Sequence, residues 1–287
     1  LDGCCVVKYK RLIICPGLKL NWAGVEGLTE PLGKNGVTSN YRYDLAPYTW
    51  ELVQALKEGR AIFTQPPMPI KCAGAPQKAL YLSADHWLKS GALSHINIDF
   101  MNAGGVLFGV KDYVPALESY IQKYNAQVNF FHRLISVDGP AKKATFEVAK
   151  PDSEKTTVTV EFDMLHAVPP QIAPDFIRVS PLADAAGWVD VDQATLRHKT
   201  HANIWSLGDV MNAPNAKTAA AARMQAPIVA QNVADDIDGR SPTAMYNGYG
   251  SCPLTVERGK IVLAEFGYGG ALLPSFPKWV IDGTKPS

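Results

Sequence analysis

The feature that most constrains the fold is an alternation of strand-like and helical segments between residues 60 and 131. The predicted elements are a strand at 60–64, a helix at 76–89, a strand at 95–101, a helix at 112–124 and a strand at 128–131. This order is typical of a parallel sheet whose strands are joined by right-handed helical crossovers. The sequence therefore predicts the α/β fold class.

Further elements flank this unit. They are a strand pair at 6–9 and 12–15, a helix at 41–58, antiparallel strands at 144–148 and 157–161, a return to the sheet at 162–168, strands at 188–191 and 203–207, a helix at 217–236, and a β-meander at 246–268 that carries Cys252 at its first turn.

Composition excludes several classes of protein. The chain has 287 residues, of which 47% are hydrophobic and 19% charged, and its formal net charge is +1. This charge gives no electrostatic footprint for nucleic acid. No apolar stretch approaches the roughly 20 residues of a membrane-spanning helix, and no signal peptide is visible at the start. The composition is that of a soluble globular protein with two domains or one large domain.

The five cysteines do not indicate a secreted disulfide framework, because their number is odd and the chain is long. Cys4, Cys5 and Cys15 lie in or beside apolar, strand-like segments, so we expect them to be small buried side chains. The only pair with the spacing of metal ligands is His198 and His201, and no cysteine pair lies near them in sequence. We therefore predict no metal site.

Cys72 and Cys252 have different surroundings. Glycine and proline flank each of them, which predicts turns in which the sulfur is presented rather than buried. If the fold brings the two together, they form a redox dithiol closed by tertiary structure. If they are incidental, the chain is an α/β binding scaffold, and the two sulfurs lie far apart.

The turn before the helix at 76–89 bears on nucleotide binding. A dinucleotide-binding unit needs a glycine-rich turn there, so that the backbone can approach a pyrophosphate. The chain contains no GxGxxG, and residues 71–76 occupy the equivalent turn. Cys72 stands at or near the helix N-terminus, where the helix dipole favours a thiolate. A structural cysteine in a tight turn is the alternative.

Gly208 and Asp209 end a predicted buried strand, and Lys217, Thr218 and Ala219 begin the next helix. A buried aspartate needs a polar partner, and the hydroxyl groups of a ribityl chain would supply one. The helix N-terminus could then donate backbone N–H groups to a flavin ring. The alternative is that Asp209 caps a loop.

Four segments resemble the flavin-dependent sulfide:quinone oxidoreductases, of the type that includes the mitochondrial enzyme. They are PIKCAGAPQK (69–78), SPLADAAGWVDVD (180–192), GD followed by KTAAA (208–221) and GYGSCPL (248–254). The resemblance covers nearly the whole chain in a consistent order. It implies a three-layer, Rossmann-like FAD/NAD(P)-binding fold with a complete second dinucleotide-type domain, a partial first one and a C-terminal β-meander.

The same resemblance implies a division of the chain. The predicted parts are 1–58 as a partial FAD domain and linker, 59–170 as an NAD-domain-like unit with Cys72, 171–240 as the second part of the FAD domain, and 241–287 as the start of a C-terminal domain with Cys252.

The resemblance also implies the chemistry. Sulfide attacks a Cys72–Cys252 disulfide and leaves a persulfide on one of the two cysteines, and two electrons pass through FAD to ubiquinone. The persulfide sulfur goes to an acceptor such as sulfite, glutathione or cyanide. By the same match Asp209, beside Gly208, contacts the ribityl region of FAD, and Lys217, Thr218 and Ala219 contact the flavin ring. Which cysteine holds the persulfide stays open.

Members of the family begin with a GxGxxG segment and end in amphipathic helices at a membrane. This sequence has neither, so we expect a fragment that purifies without flavin and is inactive alone. The resemblance implies that the full-length protein binds peripherally to a bacterial cytoplasmic membrane or the mitochondrial inner membrane.

Three further points stay open. A pyridine-nucleotide-dependent flavoprotein, such as a type II NADH dehydrogenase or a disulfide reductase, is the alternative enzyme, and its flavin would be bleached by NADH. His86 and His166 could be proton shuttles, although structural roles are expected for both. Apolar residues around Phe266, Phe276 and Trp279 could begin a quinone pocket or serve packing alone.

Overall fold

The computed structural model describes residues 6–287, so the predictions for Cys4 and Cys5 lie outside the described residues. The strands are β1 (Leu12–Ile14), β2 (Lys19–Leu20), β3 (Val37–Thr38), β4 (Gly59–Gln65), β5 (Ile96–Asn102), β6 (Gln127–Phe130), β7 (His132–Asp138), β8 (Lys143–Val148), β9 (Thr156–Glu161), β10 (Met164–His166), β11 (Gln171–Ile172), β12 (Ile204–Ser206), β13 (Gly250–Glu257) and β14 (Lys260–Phe266). The helices are α1 (Ala46–Ala55), α2 (Ala75–Ser90), α3 (Val114–Lys123), α4 (Asp175–Arg178) and α5 (Ala219–Ile237).

The chain divides into two compact units. Among the described residues, unit 1 contains 6–19, 172–251 and 267–271, and unit 2 contains 20–171, 252–266 and 272–287. These boundaries differ from the predicted ones. Residues 20–58 lie in unit 2 because β3 pairs with β10 of its sheet, and residues 241–287 are shared between the two units. The assignment of parts to FAD and NAD-like domains stays a prediction.

Unit 2 is built on a five-stranded sheet in the order β3-β10-β4-β5-β6, with every pair parallel. Successive side chains of a strand point to opposite faces. On β4, Phe63 packs with α2 and α3 residues such as Trp87 and Leu117, whereas Ile62 packs with Leu134 of the antiparallel sheet β7-β8-β9. Unit 2 therefore has three layers, and the predicted α/β, Rossmann-like class is confirmed.

Helices α2 and α3 begin and end within about two residues of their predicted positions, whereas α1 (Ala46–Ala55) is shorter than the helix predicted at 41–58. The clearest stop is at the end of α2, where Gly91 adopts a left-handed conformation with φ +79° and its N–H bonds the Leu88 carbonyl. Glycine favours this cap because it has no Cβ to oppose a positive φ.

Unit 1 is centred on the parallel pair β1–β12 and on α5. Trp205 of β12 is fully buried and packs in one cluster with Ile14, Val189 and Val229. The strand predicted at 188–191 is reduced to isolated bridges, including Val189 with Met211.

Three sequence expectations are wrong. Residues 6–9 form no strand, because β1 pairs with β12 instead. Cys15 is exposed, since it lies just beyond the end of β1. The meander at 246–268 is a single hairpin, β13–β14, and Cys252 lies inside β13 rather than in a turn.

Among residues 6–287, no helix is both long and apolar enough to cross a bilayer.

Candidate functional site

Cys72 and Cys252, separated by 180 positions, lie side by side within unit 2. Their Sγ atoms are 3.8 Å apart, and both are free thiols. Cys72 is partly exposed, whereas Cys252 is only 2% exposed. The scaffold alternative predicts distant sulfurs, and the structure contradicts it on this point.

The position of Cys252 follows from the alternation of β13. Cys252, Leu254 and Val256 are buried on one face of the strand and join the core of unit 2. The hairpin is tied to this core by two buried tyrosines: Tyr124 donates a hydrogen bond to the Val256 carbonyl, and Tyr113 donates one to the Glu265 carbonyl. Cys252 is thus held by a strand rather than by a mobile turn. The period-two pattern of apolar residues was the signal that could have predicted this.

Cys72 lies in the turn that leads into α2. Its backbone is left-handed, with φ +47°, which costs about 1–2 kcal/mol for a residue with a Cβ. The Ala75 N–H donates to the Cys72 carbonyl over 2.7 Å, so the cysteine lies three residues before the first residue of the helix. The expectation of a position near a helix N-terminus agrees with this geometry.

Gly74 allows the turn to approach β13. A Cβ at this position would lie 2.7 Å from Leu254 Cδ2 and 3.2 Å from Cys252 Sγ. The first distance is shorter than real Cβ contacts allow, so a side chain here would force either the buried Leu254 side chain or the turn to shift. The absence of a Cβ at Gly74 therefore permits the contact between the two sulfurs.

A cation lies beside the sulfur pair. Lys78, one turn into α2, places its Nζ 3.5 Å from Cys72 Sγ. The hydrogen bond from Cys252, together with the Lys78 charge, lowers the pKa of Cys72 to about 6. The pKa of Cys252 is raised, because its proton is shared with Cys72 and because it is buried. The pair thus favours a Cys72 thiolate that accepts a hydrogen bond from the Cys252 thiol.

A tyrosine from elsewhere in the chain holds the Cys72 turn. The Tyr41 hydroxyl donates to the Lys71 carbonyl at 3.0 Å and to the Cys72 carbonyl at 3.2 Å. Burial raises the pKa of Tyr41 well above its usual range, so the hydroxyl keeps its proton. Gln171 Oε1 accepts from the Lys71 N–H over 2.7 Å. Sequence reasoning missed Tyr41, and it included Lys78 in the segment 69–78 without assigning it a role.

The two histidines singled out in the sequence have structural environments. His166 is fully buried, stacks on Phe63 and accepts a hydrogen bond from the Asn40 N–H at Nε2. Burial lowers the pKa of His166 to about 4, so it is neutral at physiological pH. His86 packs edge-on against Trp50.

His198, one of the two candidate metal ligands, uses both of its ring nitrogens in hydrogen bonds within the protein. His198 Nδ1 accepts from the Thr200 and His201 N–H groups, and its Nε2 bonds the Leu182 carbonyl. In the part of the chain that the structure describes, no group of three or more histidine, cysteine or acidic side chains could hold a metal ion.

Five candidate cofactor-binding residues lie together in unit 1. Gly208 and Asp209 follow β12, and Lys217 reaches back to them: its Nζ donates to the carbonyls of Asp209 at 2.8 Å and Met211 at 2.7 Å. Thr218 caps α5 by accepting from the Ala221 N–H, and Ala219 is the first helical residue.

Lys217 is an unusual lysine. It is 6% exposed, and its Nζ lies 4.3 Å from the centre of the Trp188 ring. Burial lowers the pKa of Lys217 to about 8. The cation–π contact and the two carbonyls compensate for part of the lost hydration.

Comparison with known proteins identifies the class of relative. The chain is 41% identical to the mitochondrial sulfide:quinone oxidoreductase of Mus musculus and 44% identical to that of Dictyostelium discoideum, in each case over 94% of its length. The relatives are sulfide:quinone oxidoreductases. The resemblance indicated by the four segments is therefore confirmed. The chain spans about 60% of the length of the curated relatives it matches, and no protein-family model matches it.

Solved structures agree at the level of the fold. A chain of the Tetrahymena thermophila mitochondrial ATP synthase matches with a TM-score of 0.79 and 22% identity, over 92% of this chain and 65% of that one. The sulfide:quinone oxidoreductase of Aquifex aeolicus matches with a TM-score of 0.72 and 18% identity, over 94% of this chain and 63% of that one.

Proposed function

We propose that this chain carries the sulfur chemistry of a flavin-dependent sulfide:quinone oxidoreductase. The observation that carries the proposal is the thiol pair, with its sulfurs 3.8 Å apart and a lysine cation 3.5 Å from one of them. A disulfide bond is about 2.05 Å long, so a small displacement closes the pair. The names of the relatives supply the class of substrate, sulfide, and the class of electron acceptor, a quinone.

The difference in pKa between the two thiols indicates which sulfur hydrosulfide attacks in the first step. In the oxidised pair, hydrosulfide attacks Cys252 Sγ; a new sulfur–sulfur bond forms, the Cys72–Cys252 bond breaks, and Cys72 leaves as a thiolate. Thiols of lower pKa leave faster in such exchanges, and the Lys78 charge, 3.5 Å from Cys72 Sγ, lowers the pKa of Cys72. We therefore assign the persulfide to Cys252.

The second step removes the sulfur. A nucleophilic acceptor, such as sulfite, glutathione or cyanide, attacks the outer persulfide sulfur, and Cys252 departs as a thiolate that takes up a proton. The two cysteines then stand reduced, and the electron pair released by sulfide resides on them. Lys78 balances the charge on Cys72 throughout.

FAD is the proposed acceptor for that electron pair, and when bound it supplies two-electron transfer from thiols to a quinone. Unit 1 offers a fitting set of groups. Gly208 has φ +77° and open space where a Cβ would stand, and the first N–H groups of α5 point out of the helix. Asp209, Lys217, Thr218 and Ala219 complete the set that we propose holds the cofactor.

A quinone and a membrane surface are the remaining proposed partners. The segment 272–287 exposes large apolar side chains, with Trp279 88% and Val280 50% exposed. Residues of this segment, including Leu272 and Phe276, line a cavity of about 100 Å³. Exposed apolar side chains of this kind suit contact with lipid or with an isoprenoid chain.

The pyridine-nucleotide alternative is less well supported. The turn that would receive a pyrophosphate has little free space on this side, because a Cβ at Gly74 would already lie 2.7 Å from Leu254 Cδ2 and 3.2 Å from Cys252 Sγ. Reduction of bound flavin by NADH, rather than by sulfide, would favour that alternative.

The proposed sulfur transfer is measurable as a single turnover. Oxidised protein is mixed with sulfide and then with sulfite, so that disulfide, hydrosulfide and sulfite yield dithiol and thiosulfate. We expect about one thiosulfate per chain, and almost none from Cys72→Ser or Cys252→Ser. Equal yields from the wild type and both variants would contradict the proposal.

A further inference from the structure

The loop before α1 reaches the cysteine pair through a single side chain. Tyr41 lies 31 positions before Cys72, and its hydroxyl bridges the carbonyls of Lys71 and Cys72. A phenol has one hydroxyl proton, so the two carbonyls share it. The hydroxyl lies between the two carbonyls and therefore restrains both peptide groups. No other described side-chain hydrogen bond reaches the Cys72 carbonyl.

The Cys72 turn needs such support. Cys72 adopts φ +47°, a region that residues with a Cβ seldom occupy unless their surroundings hold them there. Within the turn, only the Ala75 N–H bonds the Cys72 carbonyl. Relaxation to a negative φ would swing the Cα–Cβ bond, and with it Sγ, away from Cys252.

Tyr41 is itself fixed from the sheet. The N–H of Asn40 donates to Nε2 of His166 at 2.9 Å, and the Tyr41 N–H donates to Ser39 Oγ at 3.3 Å. His166 ends β10, a strand inside the parallel sheet, and is fully buried. A rigid element therefore determines where the phenol lies.

We propose that Tyr41 is a positioning residue for the cysteine pair. Its hydroxyl holds the Cys72 turn in its left-handed form, which keeps Cys72 Sγ in contact with both Cys252 Sγ and Lys78 Nζ. Tyr41 acts through Cys72 and takes no part in bond making. The inference rests on the proposed function, since it concerns the same pair of sulfurs.

The test is the thiol–disulfide equilibrium of the pair against glutathione. The Cys72 and Cys252 thiols pass two electrons and two protons to glutathione disulfide, which gives one protein disulfide and two molecules of glutathione. Tyr41→Phe removes only the hydroxyl. Tyr43→Phe is the matched control, since Tyr43 is 97% exposed. All proteins carry serine at positions 4, 5 and 15, so only the pair reacts.

We expect Tyr41→Phe to shift this equilibrium toward the dithiol by roughly five- to thirty-fold, the weight of one or two hydrogen bonds. The alkylation rate of Cys72 should also fall at pH 6–7, because its sulfur leaves Cys252 and Lys78. Tyr43→Phe should change neither quantity. A merely structural role would lower the unfolding temperature and leave the pH midpoint of alkylation unchanged, and that result overturns the proposal.

A second variant guards against a folding defect. If Tyr41→Phe is insoluble, Ser39→Ala removes the Oγ that accepts the Tyr41 N–H, and we expect a smaller shift in the same direction. An unchanged equilibrium in that variant also contradicts the proposal. The proposed function fails separately: a wild-type protein that forms the disulfide and yields no thiosulfate contradicts sulfur transfer and leaves the role of Tyr41 standing.

Discussion

At the scale of residues, the site depends on an unequal pair of thiols. The two cysteines share a proton, and both the Cys252 contact and the Lys78 charge lower the pKa of Cys72 to about 6. Cys72 is therefore a thiolate above pH 6 and loses its charge as the pH falls through that value. Cys252, whose pKa is raised, stays protonated at neutral pH.

Replacing Lys78 tests this assignment. We expect Lys78→Met to move the pH midpoint of Cys72 alkylation upward by about one pH unit, because a cation 3.5 Å from the sulfur is lost. At pH 6 the alkylation rate should fall several-fold. Lys57→Met is the control, since Lys57 is exposed and its Nζ bonds the Gln54 carbonyl. A midpoint equal to that of the control would show that Lys78 does not act on Cys72.

Only part of this residue-level detail was predictable. The motif around Cys72 and the apolar alternation of β13 are visible in the sequence. The roles of Tyr41 and Lys78 were missed because they depend on distances between atoms that tertiary structure sets. A left-handed φ at a cysteine has no sequence signal, since most residues with positive φ are glycine or asparagine.

At the scale of elements, the site is the contact between the start of α2 and the strand β13. Gly74 permits that contact, and its φ of −83° would suit alanine, so the backbone does not require glycine. Any effect of replacing Gly74 with alanine therefore comes from the limited space around its Cβ position rather than from the backbone conformation.

We expect Gly74→Ala to lower the free energy of unfolding by about 1–3 kcal/mol, the usual cost of an added methyl in a packed contact. Disulfide formation between Cys72 and Cys252 should fall as well, because a Cβ at Gly74 would lie 2.7 Å from Leu254 Cδ2. Urea unfolding and thiol titration measure the two effects. Gly109→Ala is the control, since nothing lies within 4 Å of its Cβ position. Equal behaviour of the two variants would contradict the close packing.

The start of α5 gives a second prediction. Thr218 is the N-cap, and its side chain accepts from the Ala221 N–H at 3.2 Å. Thr218→Ala should lower the free energy of unfolding by about 1 kcal/mol in urea. Thr218→Ser keeps the hydroxyl and should stay within a few tenths of a kcal/mol of the wild type. A similar loss in both variants would mean that the threonine methyl matters more than the cap.

The ends of helices were predicted well where a proline or a glycine lies at the helix terminus. The start and end of α2 were found because Pro76 and Gly91 bracket it. The pairing of β1 with β12 and the place of 20–58 in unit 2 were not, because each depends on contacts between distant parts of the chain.

At the scale of the whole molecule, the two units carry different parts of the proposed chemistry. Unit 2 holds the sulfur pair, Lys78 and Tyr41, and unit 1 holds the residues proposed to bind FAD. The four segments that resemble sulfide:quinone oxidoreductases are distributed over both units. The sequence therefore indicated the class of relative for the chain as a whole and not for one unit alone.

The most direct test of this account is the location of the persulfide sulfur. Oxidised protein with serine at positions 4, 5 and 15 is treated with one equivalent of sulfide, trapped with an alkylating agent, digested and examined by mass spectrometry. We expect an additional sulfur atom on the peptide that contains Cys252 and a simple alkyl group on Cys72. Persulfide on Cys72 alone, or on neither cysteine, would contradict it.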